Sequence, residues 1–466
     1  MPRLAPEPSR DDARTLALLN QHGRTATAFQ VLAPGMRHWF ASAETQTGNE
    51  LSETRSRGMV GYADTGSAWV AAGEPVAARD DTIPVAEEFV DFAHANGKRV
   101  AFFATEGALS SSPRFRRVLI GEQPVWNPAE WEVTLRGSRS LREQVRRARA
   151  KGVVVRPVDA ANIATDVALQ KLMTRWLATR SMPSMHFLVE LEPFVQREQR
   201  KLYVAEREGN VIAFLSLAPV SSRNGWLFEH LLRDPSAPNG AAELLVDFAM
   251  RELGAEGVTW ATLGLAPLAG DVSGWLRVAR SVARPFFNFA GLAAFKRKLR
   301  PISWEPIYLA YPRERSSVLA MRDGLRAFAG RSLIGFGAHM VLRGPAPLLR
   351  ALELSLIPWT MALALWPANP WFPSPVVKWA WVAFDVLLIG ALYRLRRRWS
   401  RRWAIGVATA VTIDTVLTLV QALTWNVART RTALELLMVV AACSGPALAA
   451  VVLWGSVRRR AVLGEV

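Results

Sequence analysis

The sequence predicts an α+β soluble region followed by four transmembrane α-helices. Three observations carry this reading. Apolar residues make up 50% of the 466-residue chain, yet long apolar runs dominate only its last quarter. Before that, short β-like runs alternate with helical periodicities, as in mixed α/β domains. The last quarter then holds four successive apolar runs edged by Trp and Arg. A chain of this length exceeds one ordinary core, so two or three domains are expected.

Taken in order, the first residues, MPRLAPEPSRDDAR, lack the apolar stretch of a secretory signal and read as a short disordered leader over residues 1–12. Strands are predicted at Ala68–Ala72, Arg99–Ala104, Val153–Pro157, Leu202–Glu206, Val211–Pro219, Gly225–Leu231 and Thr259–Leu263. Helices are predicted at Pro84–Asn96, Ser140–Lys151, Ala164–Thr179 and Ala241–Gly254. Asn96-Gly97 and Gly209-Asn210 are turn signals. The pattern suggests two similarly built halves, residues 13–135 and 152–315, joined by a basic helix over 136–151. Residues 316–348 form a linker in which RAFAGRSLIGFGAHMVLR (Arg326–Arg343) has the pattern of an interfacial amphipathic helix.

The membrane domain is expected over 349–457, from the runs Ala351–Trp366, Pro375–Tyr393, Trp403–Thr424 and Ala433–Gly455. The last two meet the roughly 20-residue requirement comfortably, while the first is short and contains Pro358. The alternative, buried helices of a soluble domain, fits poorly with four such runs in succession. The link RLRRRWSRR (Arg394–Arg402) carries six Arg, and Arg458–Arg460 follow the last run. The positive-inside rule therefore places this link, the C-terminus and the N-terminal region in the cytoplasm, as for a multi-pass protein of a bacterial-type inner membrane. Asp385 and Asp414 fall near the middle of the second and third runs. Carboxyls at that depth point either to a functional site or to hydrogen bonding between helices.

The formal charge is +17. Dividing the chain at Leu348 gives 44 Lys+Arg against 35 Asp+Glu before it, and 13 against 5 from there on. Both parts are basic, which suits anionic partners, whether nucleic acid or anionic phospholipid. In the helix over 136–151 the cations Arg142, Arg146, Arg147 and Arg149 form a candidate RNA-binding surface, or else a solvated face. The one cysteine, Cys443, excludes an intramolecular disulfide and makes thiol catalysis or a Cys-based metal site untenable. No Walker A loop, H-E-x-x-H, G-x-S-x-G or dinucleotide fingerprint is present. The Arg251–Gly257 stretch faintly echoes an acyl-CoA phosphate loop, but it follows its helix where such a loop must precede one.

Five segments occur in a telling order: WVAAGEP (Trp69–Pro75), GEQPVWNPAEWEVTLRG (Gly121–Gly137), FEHLLRDPSAPNGAAELL (Phe228–Leu245), LGLAPLAG (Leu263–Gly270) and NFAGLAAFKRKLRPISWEPIYLAY (Asn288–Tyr311). In these, residues from about Asp64 to Pro312 resemble the catalytic domain of the lysylphosphatidylglycerol synthetase (multiple peptide resistance factor) family. The resemblance implies a tandem acetyltransferase-like fold that moves an amino acid from aminoacyl-tRNA to a hydroxyl of phosphatidylglycerol, with no cofactor and no metal. The family's usual membrane domain precedes the catalytic one, whereas here the apolar runs follow it. A family aspartate position is held by His230, and another acid position by Glu243.

An activated ester donor leaves three tasks: position two substrates, deprotonate a hydroxyl and stabilise an oxyanion. The candidate catalytic residues are His230, Glu243 and Arg233. His230 titrates near working pH but could equally be a satisfied structural histidine, and Glu243 could simply stabilise a helix N-terminus. Lys296 and Lys298 are candidates for substrate phosphates or the oxyanion, with Asn239, Asn288 and Glu305 framing the substrate site. Acceptors other than phosphatidylglycerol, and a non-catalytic RNA- or lipid-binding role, stay open at this point.

Overall fold

The computed structural model describes residues 10–42, 56–158, 167–178, 185–283, 287–330, 332–333, 335–336, 346–365, 371–397 and 400–462. These divide into two compact units, the first running essentially to Leu333 and the second from Ile334 onward, the latter also taking in the short stretch Ala178–Pro183.

The first unit is built on one 13-stranded sheet. Its strands are β1 (Arg37–Ser42), β2 (Ser56–Asp64), β3 (Ala68–Ala72), β4 (Val76–Ala77), β5 (Arg99–Thr105), β6 (Phe115–Trp126), β7 (Val154–Pro157), β8 (Lys201–Arg207), β9 (Asn210–Val220), β10 (Gly225–Arg233), β11 (Trp260–Thr262), β12 (Ala266–Pro267) and β13 (Ser303–Pro312). The order across the sheet is β1-β2-β3-β5-β13-β6-β11-β10-β9-β8-β7, with β4 on β2 and β12 on β6. The helices of this unit are α1 (Arg10–His22), α2 (Thr82–Ala95), α3 (Trp131–Gly137), α4 (Arg139–Ala150), α5 (Val167–Ala178), α6 (Ala241–Ala255), α7 (Gly274–Ala283), α8 (Phe289–Lys298) and α9 (Ser317–Phe328). Of the leader expected over residues 1–12, Arg10–Asp12 belong to α1, and the rest lies outside the described residues. Of the predicted amphipathic stretch Arg326–Arg343, its first residues close α9, and most of the remainder lies outside the described residues.

One arrangement occurs twice. An antiparallel hairpin leads through a helix into a strand parallel to the hairpin's second member: β2-β3, α2, β5 in the first half, and β9-β10, α6, β11 in the second. Parallel pairing requires such a crossover. Each helix buries one apolar stripe on its own part of the sheet. In α2 the stripe is Val85, Ala86, Phe89, Val90 and Ala93, against Tyr62, Trp69 and Phe102. In α6 it is Leu245, Ala249, Met250 and Leu253, against Leu215, Leu217 and Phe228. Tyr62 and Trp69 lie 4.8 Å apart by ring centroid, and each fully buried side chain of this size contributes about 2–3 kcal/mol. The halves are joined by β13, which pairs with β6 from Ser303 to Pro312 and with β5 at Tyr308–Ala310.

Among the described residues, the α-helices of the second unit are α10 (Ala346–Leu365), α11 (Pro375–Arg397), α12 (Arg401–Gln421) and α13 (Ala433–Val462). Three apolar segments, Pro375–Leu395, Arg401–Arg429 and Ala433–Gly455, are long and apolar enough to cross a membrane. The first predicted run falls in α10, whose apolar stretch among the described residues is the shorter Glu353–Leu365, roughly 20 Å of helix against a hydrocarbon core of roughly 30 Å.

Candidate functional site

The strands β10 and β11 pair only at Gly225–Leu227 with Trp260–Thr262. Beyond that point β10 continues to Arg233, while the other chain leaves to form β12 on β6. The sheet therefore opens between them, and β10 runs on from there through a turn into α6. The turn from β10 into α6 is held by Asp234. Its carboxylate accepts from Ser236 N (2.9 Å), Ser236 Oγ (2.6 Å) and Arg175 Nε (2.6 Å). Although burial pushes this carboxyl up, those bonds and the Arg175 charge hold it below the usual aspartate range. Gly240 ends the turn at φ +99°, where a Cβ would lie 2.2 Å from Gln144 O of α4. Glycine is required there both for the left-handed backbone and for the close approach of the two helices.

Glu243 sits in the first turn of α6, 7% exposed, and its Oε1 accepts from Lys298 Nζ at 2.6 Å. The helix N-terminus adds positive potential to the same carboxylate. Lys298 comes from the last turn of α8, and Asn288 caps the start of that helix by accepting from Gly291 N at 2.8 Å. Arg233, at the end of β10, reaches Asn239 Oδ1 at 3.5 Å. Glu243 with Lys298 and Arg233 with Asn239 thus form two pairs at either end of the β10–α6 turn.

Lys296 has a different post from the one expected. It is 3% exposed, and its Nζ donates to Leu263 O (2.8 Å), Gly264 O (2.7 Å) and Leu265 O (2.8 Å). An ammonium has three donors, and all three are used. Lys296 therefore pins the strand-exit loop that forms the far wall of the opening, rather than offering a charge to a phosphate. Burial pulls its ammonium down to about 7, while the three carbonyls favour the charged form. Asn288, likewise, is engaged as a helix cap.

His230 belongs to a separate cluster. The register of β10 on β9 shifts between Phe228 and His230. This bulge puts Glu229 and His230 in one small enclosed space with Phe29, Gln30, Phe187 and Arg200, while Phe228 packs in the α6 core. Glu229 forms a buried ion pair with Arg200 and accepts from Gln30 Nε2 at 3.0 Å. His230 Nε2 lies 3.6 Å from Glu229 Oε2. Burial, aided by the Arg200 charge, depresses the imidazole below its ordinary value against the pull of Glu229, so it is neutral at pH 7. The space holds about 10 Å³, roughly one water.

Glu305 lies in a third cluster. Gln123 Nε2 donates to it at 2.9 Å and to Glu106 at 3.2 Å, and Arg223 bridges the same two carboxylates. Glu74 alongside accepts from three successive backbone N–H groups, those of Glu106, Gly107 and Ala108. Burial raises Glu106 to about 7, in spite of Arg223.

The basic helix α4 buries Leu141, Val145 and Ala148 and turns its cations outward. Arg146 and Arg147 share Glu143 but keep 70% and 57% of their side-chain surface exposed. Arg142 braces the carbonyls of Leu135 and Arg136, and Arg149 pairs with buried Asp247 at 2.9 Å. Linear order missed Arg200, Glu229, Glu74, Glu106, Gln123 and Arg223. Glu74, Gln123 and Glu229 lie in the segments that carry the family resemblance; nothing in the sequence around Arg223 announces that it bridges Glu106 and Glu305.

Comparison with known proteins identifies the family. The family described as phosphatidylglycerol lysyltransferase, C-terminal, matches residues 16–311. The phosphatidylglycerol lysyltransferase of Bacillus subtilis (strain 168) is 25% identical over 325 residues, covering 67% of this chain and 36% of that protein. An uncharacterized protein of Corynebacterium glutamicum is 23% identical over 282 residues, 56% of this chain and 35% of its own length. The chain thus spans about a third of the length of these curated relatives. Among solved structures, the C-terminal domain of a putative lysylphosphatidylglycerol synthetase from Agrobacterium fabrum superposes with TM-score 0.57 at 23% identity, covering 69% of this chain and 98% of that one. L-PGS from Bacillus licheniformis gives 0.58 at 21%, covering 71% and 99%. These two share the fold. On the extent of the family match, the chain belongs to the family of the phosphatidylglycerol lysyltransferase C-terminal domain.

Proposed function

We propose that this chain is an aminoacyl-tRNA-dependent lipid aminoacyltransferase, moving an amino acid onto a hydroxyl of phosphatidylglycerol. One observation carries the reading beyond family membership. The basic helix α4 touches the first turn of α6 through Gly240, and that turn bears the Glu243–Lys298 pair. A polyanion-binding face and an acid–base pair are therefore adjacent parts of one unit.

In the reaction the lipid hydroxyl oxygen attacks the aminoacyl carbonyl, Glu243 takes the hydroxyl proton, and the ribose oxygen of the tRNA leaves with a proton. Lys298 orients Glu243 and offers a positive charge to the developing oxyanion, and Arg233 holds the lipid phosphate. Lys296 keeps the far wall of the opening in place. Arg146 and Arg147 meet tRNA phosphates. His230, neutral but enclosed, supports the bulge from within. The apolar helices hold the enzyme at its lipid substrate. With Arg394–Arg402 in the cytoplasm, the first unit lies on the same side when both α10 and α11 cross, the short apolar stretch of α10 being accommodated by local thinning.

The test supplies the full chain in phosphatidylglycerol liposomes with a mixture of charged tRNAs and follows ninhydrin-positive lipid by mass spectrometry. The proposal expects an aminoacylated phosphatidylglycerol that ribonuclease pretreatment abolishes. Absence of product with every charged tRNA overturns it, and a product on another lipid reassigns the acceptor.

A further inference from the structure

We propose that the helical unit contains a binding site for a primary ammonium group, with Asp385 of α11 and Asp414 of α12 as its counter-charges. The helices line a partly open cavity of about 440 Å³ whose wall includes both carboxylates together with Trp359, Trp371 and Trp381. Each aspartate is 7% exposed. Neither has a satisfying partner among the described residues. Thr360 Oγ1 lies 3.4 Å from Asp385 Oδ2, but its single proton goes to Leu356 O at 2.7 Å. Asp414 Oδ1 has only Thr418 Oγ1, at 3.3 Å. No Lys or Arg is among the described residues that line the cavity, and Lys378, the sole lysine after Leu348, donates to Ala364 O. Buried carboxylates so poorly served, and directed at a void, lack their cation.

The shape of the site selects the kind of cation. Two carboxylates fall short of the six or more oxygens that a hard metal ion takes, and no group of three or more metal-ligating side chains occurs among the described residues. The volume far exceeds a bare ion and falls in the range of sites for organic ligands. Indole faces attract organic ammonium groups, and Trp381 is fixed by its Nε1 donating to Gln421 Oε1 at 2.8 Å. Leu388, Leu392 and Val411 complete an apolar wall suited to an alkyl chain. The ammonium could be lipid-borne or soluble, and the site needs no tRNA, so its test is separate from that of transferase activity.

The test uses the full chain in phosphatidylcholine nanodiscs and measures equilibrium binding of radiolabelled dodecylammonium, with empty discs subtracted. Saturable binding is expected, weakened at least tenfold in D385N and in D414N and lost in the double variant. Dodecanol, the neutral analogue, is expected not to compete on the unaltered protein, a comparison that depends on no variant folding. Competition by butylammonium assigns a soluble amine, and its failure at a thousandfold excess assigns a lipid-borne one. Equal competition by dodecanol, non-saturable uptake, or unchanged binding in the double variant overturns the proposal.

Discussion

Replacing Glu106 by Gln should alter how stability depends on pH, and the size of the effect follows from the cluster it sits in. The Glu106 side chain is 12% exposed. Burial lifts its pKa from 4.5 to about 7, outweighing the adjacent Arg223 guanidinium, and Glu74 and Glu305 push the same way. The folded protein thus keeps this proton to a higher pH than the unfolded chain does. Folding takes up a proton between about pH 4.5 and pH 7, and stability falls as pH rises through that window. Each tenfold difference in proton affinity between folded and unfolded chain is worth about 1.4 kcal/mol, so the loss is on the order of 3 kcal/mol by pH 7.5. Gln resembles the protonated acid, so E106Q should match the unaltered protein near pH 5 and exceed it at pH 7.5. His230 works in the opposite direction, because its depressed value makes stability rise with pH, but it is common to both proteins and cancels in the difference. Thermal unfolding of the first unit in detergent micelles, at half-unit steps from pH 5 to 7.5, reads this as a gap in Tm that opens to roughly 5 °C. Parallel profiles, or an E106Q protein that is less stable at pH 7.5, would show that Arg223 outweighs burial and would refute the reasoning.

Other outcomes are expected from the same geometry. E243Q should lower kcat by about a hundredfold or more while leaving the far-UV circular dichroism unchanged, whereas H230N should lower Tm more than kcat, because His230 faces an enclosed space. Reversing Arg146 and Arg147 to Glu should weaken tRNA binding at every tRNA identity and flatten the log Kd against log salt slope by about two, as filter binding at several salt concentrations would show. G240A places a Cβ 2.2 Å from Gln144 O on a left-handed backbone. It should destabilise the first unit by about 2 kcal/mol or more, seen as a lower urea midpoint.

Legibility in the sequence tracked local information. β3 was found to the residue, and β5, β7, β8, β9, β10 and β11 within one or two at each end, because each is a short run of apolar and β-branched residues between turn signals. The strands β1, β2, β4, β12, β6 and β13 escaped, the last two for a specific reason. Both contain proline and charge, as in SWEPIYLAYP, and proline argues against a central strand. β13 tolerates Pro306 because β5 pairs with it only from Tyr308 onward, so at Pro306 it has β6 alone for a neighbour. The site was legible in part. Glu243 and Lys298 were both named from their motifs, and the structure joins them. The distinct posts of Lys296 and Lys298 were not readable, since residues two apart on a helix point in different directions. The clusters around Arg200 and Arg223 are held by contacts between residues 29 to 199 positions apart, and no local pattern encodes such a meeting.

The placement of β13 also bears on how the protein is made. It is the last strand of the sheet to be synthesised, yet it lies in the middle, between β5 and β6. Until it leaves the ribosome, the nascent chain carries two long unpaired edges in its interior, each open to pairing with another copy. The sheet closes only after residue 312, and the apolar helices begin to emerge soon afterwards. Completion of the soluble fold and delivery to the membrane are thus nearly simultaneous events, and a chaperone that shields β5 and β6 would have to act throughout the synthesis of the residues between Trp126 and Ser303.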